Sequence, residues 1–250
     1  MFELTVPFWQ WGLACLVVMF GALVQTSIGF GISIVAAPIL VFINPAWVPT
    51  SLLIAAISQL IPAFLQQRRG TQWRGLRIAL LARIPGTLVG IGLLLVMTVS
   101  GLMVMIGAAT LIGVVLSLTK VRLMPTDRNL GWAGFVSAIM GTTTSIGGPP
   151  MALVMQHADA VHLRANLTAY FLVGALISFA AQWSAGYVTK ASILAGLFFV
   201  PASLIGFAFG SVVARHIPVT AFRYGIIVLC GIAGTLALVQ GFLMHFEFIS

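Results

Sequence analysis

The sequence predicts an all-α polytopic membrane protein made of two inverted repeats, each a broken helical hairpin or re-entrant segment followed by three transmembrane helices. Three observations carry that prediction. The 250 residues are 60% hydrophobic and only 6% charged, with a mean hydropathy of +1.14, a composition that a water-soluble domain could not carry without exposing large apolar patches. Two long apolar runs are interrupted by small and hydroxyl residues at corresponding places, as QTSIGFGISIVAAP at residues 25–38 and TTSIGGPPMALVMQ at residues 143–156. The basic residues cluster between the apolar runs, where the positive-inside rule puts them on the cytoplasmic side.

Taken in order, residues 8–43 form an apolar run broken near residues 27–31. The run is too long for one ordinary span of about 20 residues, so two shorter helices meeting at the break are expected. The opening carries Glu3 and no basic stretch before its apolar run, which marks a retained helix rather than a signal peptide. Asn44-Pro45 turns the chain, a span over 48–65 follows, and its exit is Gln66-Gln67-Arg68-Arg69, continued by Arg74 and Arg77. Spans over 76–96 and 102–118 are joined by the uncharged residues 98–101. A cytoplasmic linker over 120–129, with Lys120, Arg122, Asp127 and Arg128, separates a first repeat at 8–119 from a second at 130–245 within a single membrane domain of 1–250. The second repeat has its own run broken at 145–150, a polar stretch with His157, Asp159, His162 and Arg164, and spans over 167–187, 193–214 and 222–244.

The repeat is legible in its anchors. Ser27-Ile28-Gly29 recurs as Ser145-Ile146-Gly147 at an offset of 118, which also sets Thr50 on Thr168, while Pro85 with Gly90 recurs as Pro201 with Gly206 at an offset of 116. Inversion of the second half puts Arg164, Arg215 and Arg223 on the cytoplasmic side and leaves Lys190 outside; a shared orientation does the reverse. The positive-inside rule therefore favours inversion, with both termini outside. Interruptions at matched places in inverted halves point to a binding site near the midplane, at the repeat interface.

The formal net charge of +8 would suggest nucleic acid in a soluble chain, but its placement between spans accounts for it, and no nucleic-acid partner is expected. Cys15 and Cys230 lie in apolar runs and read as small core residues. The acidic residues, Glu3, Asp127, Asp159 and Glu247, all lie outside the predicted spans, so nothing supports proton coupling through a buried carboxylate. His157, Asp159 and His162 follow no recognised metal-ligand spacing, and no metal or cofactor is expected.

A helix that begins at membrane depth presents unpaired N–H groups and the positive end of its dipole, a combination that binds anions. Glycine lets the backbone approach a ligand closely, and proline suits a first helical turn, where its missing N–H is not needed. The candidate binding residues are therefore Gln25, Thr26, Ser27, Gly29 and Gly31 in the first interruption and Thr143, Thr144, Ser145, Gly147, Gly148 and Pro149 in the second, with the hydroxyls as added donors. The second interruption reads as the better-formed half, because Phe30 stands between the glycines of the first and narrows it. Close helix packing is the alternative reading of the same small residues.

Arg83, roughly two turns beyond Arg77, is the charge that stands out within a span. It either binds the anion or snorkels back to the cytoplasmic interface. Gln59, Asn166, Thr168 and Gln182 read as interhelical glue. An intramembrane enzyme using Ser145 would need a base within hydrogen-bond reach, and no histidine or lysine lies inside a span except near its ends. A structural membrane protein would explain the composition but not the paired interruptions.

The pattern SIGFGISIVAAP in the first half and SIGGPP in the second, with the basic loop after the second span and the Pro-x4-Gly of each third span, resembles the sulfite exporter TauE/SafE family of bacterial and archaeal transporters over nearly the whole chain. The resemblance implies a multi-pass transporter of the cytoplasmic membrane whose partners are the bilayer and a small anion such as sulfite, a sulfonate or another organosulfur acid, with export the expected direction. A channel and a carrier are not separated by these residues, and a homo-oligomer is compatible with them. Leucine at Gly147 and Gly148 is expected to abolish flux with little loss of folded protein.

Overall fold

The computed structural model describes residues 6–119, 123–156, 160–216 and 219–247. Glu3, Lys120, Arg122, His157 and Asp159 lie outside the described residues, as do the side chains of Arg215, Arg223 and Glu247. The chain forms helices α1 (Phe8–Ile28), α2 (Ile32–Ile43), α3 (Thr50–Gln67), α4 (Trp73–Val96), α5 (Val99–Leu118), α6 (Asp127–Thr144), α7 (Gly148–Met155), α8 (Ala160–Ser184), α9 (Lys190–His216) and α10 (Val219–Glu247). No strand occurs among the described residues. Among the described residues, seven helices are long and apolar enough to cross a membrane: α1 and the six predicted spans α3, α4, α5, α8, α9 and α10.

Local chemistry sets the ends of these helices. Asn44 accepts the Ala46 N–H on its side-chain oxygen at 3.0 Å and so holds the turn after α2. Thr98 and Thr126 cap α5 and α6, accepting the N–H groups of Gly101 at 3.2 Å and Asn129 at 3.3 Å. At the start of α9 a reciprocal capping box forms, with Ser192 N–H donating to the Thr189 hydroxyl at 3.1 Å and Thr189 N–H to the Ser192 hydroxyl at 3.0 Å.

Both broken segments fold as hairpins, each turning over three residues, 29–31 and 145–147. The first returns to its starting level: Trp47, just past α2, packs at a tilt of 47° on Trp11 near the start of α1, with ring centroids 4.5 Å apart. Two details differ from the sequence reading. The first break is narrower than 27–31, because the Thr26 and Ser27 hydroxyls donate to the carbonyls of Ala22 and Leu23 one turn back and stay helical, so α1 alone is about 31 Å long. The register also shifts: the left-handed residues ending α1 and α6 are Gly29 and Ser145, 116 positions apart, the offset of the Pro85–Pro201 pair rather than that of the Ser-Ile-Gly match.

Glycine contacts give the directions of the packed helices. Gly206 meets the Met19 carbonyl and Ala22, and Gly210 meets the Leu23 carbonyl and Thr26, so α9 runs parallel to α1. In the same way Gly86 lies on Phe135 and Ala138, and Gly90 on Ile139 and Thr142, so α4 runs parallel to α6. Helices α5 and α10 are antiparallel, with Gly107 on Gly234 and Leu238 and Gly241 on Ser100 and Val104. Helices α3 and α8 are antiparallel too: Thr50 donates to Gln182 at one end, at 2.8 Å, and Gly70 meets Ala165 at the other. Each half's first helix thus packs on the other half's fourth, and the third and fifth helices pack on their own counterparts.

The outward faces are apolar. On α4, Leu81, Ile84, Leu88, Gly92 and Leu95 are exposed, as are Val228, Ile232, Leu236, Val239 and Leu243 on α10, a three-to-four-residue spacing that gives lipid a continuous stripe on each helix. The inner seams depend on the glycines. A Cβ at Gly206 would lie on the Met19 carbonyl oxygen, a backbone atom with nowhere to move. Gly206→Ala is therefore expected to cost about 1–3 kcal/mol, measured as a lower thermal midpoint in detergent; an unchanged midpoint would show that the α1–α9 seam can widen.

Candidate functional site

The two hairpin tips approach each other inside the bundle, where a Cβ at Gly148 would meet the Phe30 ring at 2.7 Å. At the first, Gly29 takes a φ of 103° and Gly31 a φ of 141°, a conformation natural to glycine. Gln25 reaches across from α1 to accept the Ile32 N–H at 3.0 Å, which caps α2 from inside the protein. At the second, Ser145 adopts φ 64°, its N–H donating to the Gly141 carbonyl at 3.0 Å. The Ser137 hydroxyl donates to the Gly147 carbonyl, and Thr144 accepts the Ile146 N–H at 3.1 Å.

Between the tips lies a cavity of about 50 Å³, lined by Gln25, Phe30, Gly31, Ser145, Gly147, Gly148 and Pro149, by Arg83, and by apolar residues of α3 and α8 such as Leu53, Ala56 and Ala175. A water needs about 10–15 Å³ of such space, so the cavity suits a few waters or one small ion. Its donors are unequal. The first turn of an α-helix has N–H groups with no intrahelical acceptor, and Ser33 and Ile34 of α2 both line the cavity. In α7 the corresponding turn begins Gly148-Pro149-Pro150, and the two prolines have no N–H. The first hairpin, not the second, is thus richer in backbone donors.

The predicted residues divide into two sets. Gln25, Gly31, Arg83, Ser145, Gly147, Gly148 and Pro149 converge on the cavity; Thr26, Ser27, Gly29, Thr143 and Thr144 do not line it. The hydroxyls expected as anion donors face inward along their own helices: Thr143 donates to Ile139 at 2.8 Å and Thr144 to Met140 at 2.7 Å. The Ser145 hydroxyl donates to the Pro49 carbonyl at 2.9 Å, and no histidine or lysine among the described residues lines the cavity.

Arg83 does not snorkel. It is 3% exposed, with Nη1 donating to the Tyr170 hydroxyl at 3.0 Å and Nη2 to the Ser178 hydroxyl at 3.2 Å, and its guanidinium carbon stands 5.2 Å from the Tyr170 ring centre. Its Nε is buried without a partner. Gly174 makes the room, since a Cβ there would strike the guanidinium. No carboxylate faces it among the described side chains. Asp127 begins α6 whereas Arg83 lies against Gly141 near its other end, about 21 Å along that helix.

The sequence reading missed the cradle that holds this arginine, although it is legible: Tyr170, Gly174, Ser178 and Gln182 recur every four residues of α8 and so share one face. Gln182 does serve as glue, accepting from Thr50 and donating to the Thr142 carbonyl at 3.0 Å. Beyond Phe30 lies a larger cavity of about 320 Å³, lined mainly by apolar side chains of α1, α2, α5, α7 and α10. Among the described residues, no charged one lines it.

A helical bundle with seven membrane-length helices among the described residues, and two broken hairpins that meet at an internal cavity, is a multi-pass membrane protein. The chain matches the model of the sulfite exporter TauE/SafE family over residues 14–236, nearly its whole length. It belongs to that family, one of membrane transporters for sulfur anions. A search of curated proteins and of solved structures returned no significant match.

Proposed function

We propose that the protein exports a small sulfur oxyanion, sulfite or a sulfonate, across the cytoplasmic membrane, and that the anion sits between the hairpin tips on Arg83 and the first-turn N–H groups of α2. The observation that carries this reading is the buried guanidinium, with no facing carboxylate among the described side chains and an unpartnered Nε at the edge of a cavity. A buried charge without a partner is costly, and an anion is the partner that relieves it. In this reading the arginine-rich end, with Arg68, Arg69, Arg74, Arg77 and Arg164, is cytoplasmic. The antiparallel pairing of α3 with α8 and of α5 with α10 supports inverted repeats around the site. Export needs no coupling ion: an inside-negative potential favours outward movement of one negative charge by about 2.3 kcal/mol per 100 mV.

The test is efflux of radiolabelled sulfite, ethanesulfonate and chloride from proteoliposomes under an imposed inside-negative potential. Sulfite should leave faster than from protein-free vesicles, and faster still as the potential is raised. If folded protein moves none of these anions above the protein-free rate, the proposal is wrong.

A further inference from the structure

We infer that a second oxyanion subsite lies on the way from the Arg83 cavity to the arginine-rich end, built from Gln59 and Gln67 of α3 and Arg164 of α8; it deepens the proposed transport function and rests on it. Gln59 is 1% exposed, yet neither its amide oxygen nor its amide nitrogen has a hydrogen-bond partner. The side-chain oxygen of Gln67, two turns further along α3, is likewise buried and unpartnered. Both residues line a narrow cavity together with Arg164. Gln25 and Leu60 line this cavity and the Arg83 cavity alike, so the two adjoin.

A purely structural glutamine does not look like this. Gln182, at the other end of the same α3–α8 seam, has both amide atoms bonded. A buried amide left open loses its hydration without return, and interhelical glue works only when its bonds are made. Gln59 therefore awaits a ligand. Its amide nitrogen can donate to an oxyanion, its oxygen can accept from a water the anion carries, and Arg164 supplies the charge. Arg164, half-buried, lies beside Gly29 at the tip of the first hairpin, so the subsite is walled by the element that also shapes the main cavity. The space here is about 10 Å³, room for one water, so this conformation is shut to an oxyanion at that step and the tip must part from α8 for the anion to pass.

Sulfite efflux from proteoliposomes, read beside thermal midpoints in detergent, tests the subsite. Gln59→Leu removes the open amide at similar volume, so the midpoint should hold or rise while efflux falls about tenfold, the worth of one hydrogen bond to a charged group. Gln59→Glu puts a negative charge in the path and should lower efflux further, and Arg164→Gln should lower it without touching the Arg83 cavity. Wild-type rates in folded Gln59→Leu and Arg164→Gln would overturn the subsite while leaving the transport reading standing. Should Gln59→Leu lose its fold, Arg164→Gln alone decides. A folded wild-type protein that moves no sulfite would overturn both.

Discussion

Arg83→Met is expected to lower sulfite efflux by about 10–100-fold, the loss of one or two hydrogen bonds to a charged group, while the protein stays folded. The fold should survive because the two hydroxyls that hold the guanidinium keep other partners. Tyr170 still donates to the Gly134 carbonyl at 3.2 Å, and Ser178 still shares a hydrogen with Thr142 at 2.9 Å. Replacing a buried charge that has no facing acid among the described side chains by an unbranched apolar chain is often neutral or stabilising, so the thermal midpoint should not fall. Arg83→Lys keeps the charge but loses the planar fork, and it should retain efflux between the two extremes. Gly174→Ala probes position instead: its Cβ would strike the guanidinium and push it from the cavity, reproducing the loss with the charge still present. Efflux near wild type in folded Arg83→Met would reduce Arg83 to a prop for α8.

The same arginine shows where sequence reading stops. Its place in the chain, less than two turns from Arg77, fits a side chain that bends back to the interface, and only the notch at Gly174 and the hydroxyls of Tyr170 and Ser178 draw it inward. The helices themselves were legible, because lipid demands long apolar runs and tolerates broken backbone only inside protein. The breaks were legible to within a few residues. Their edges were not, since a serine or threonine can end a helix or stay in it by donating to a carbonyl one turn back, and Ser27, Thr143 and Thr144 do the latter. Composition likewise ranked the second interruption above the first as a site; its paired prolines, which suit the start of α7, are what deprive that helix of donors. Residue type alone makes Gln59 glue, whereas the open state of its amide is a tertiary fact.

Gly147 and Gly148 must now be separated, and the pair yields the sharpest prediction about selectivity. A Cβ at Gly147 would stand 2.8 Å from the Ser137 carbonyl oxygen, a backbone atom of the adjacent helix, so Gly147→Leu should destabilise the protein by about 1–3 kcal/mol or more, contrary to the expectation from sequence. A Cβ at Gly148 would meet the Phe30 ring at 2.7 Å, and a ring can turn. Phe30 lines both the polar cavity and the apolar cavity of about 320 Å³ beyond it, so it is the wall between them. Gly148→Leu should jam that wall into the anion's place and cut efflux about tenfold or more, as overpacking of a close-fitted site does, with the midpoint nearly kept because the ring has space to move into. Phe30→Ala should remove the wall, raising butanesulfonate efflux relative to sulfite as the alkyl tail gains the apolar cavity. In the double variant the leucine fills the space the ring leaves, and the two changes should compensate, with efflux above that of Gly148→Leu alone, because residues in contact couple. A double variant no faster than Gly148→Leu, with both folded, would mean that the leucine blocks the site by another route and that Phe30 is a passive part of the lining.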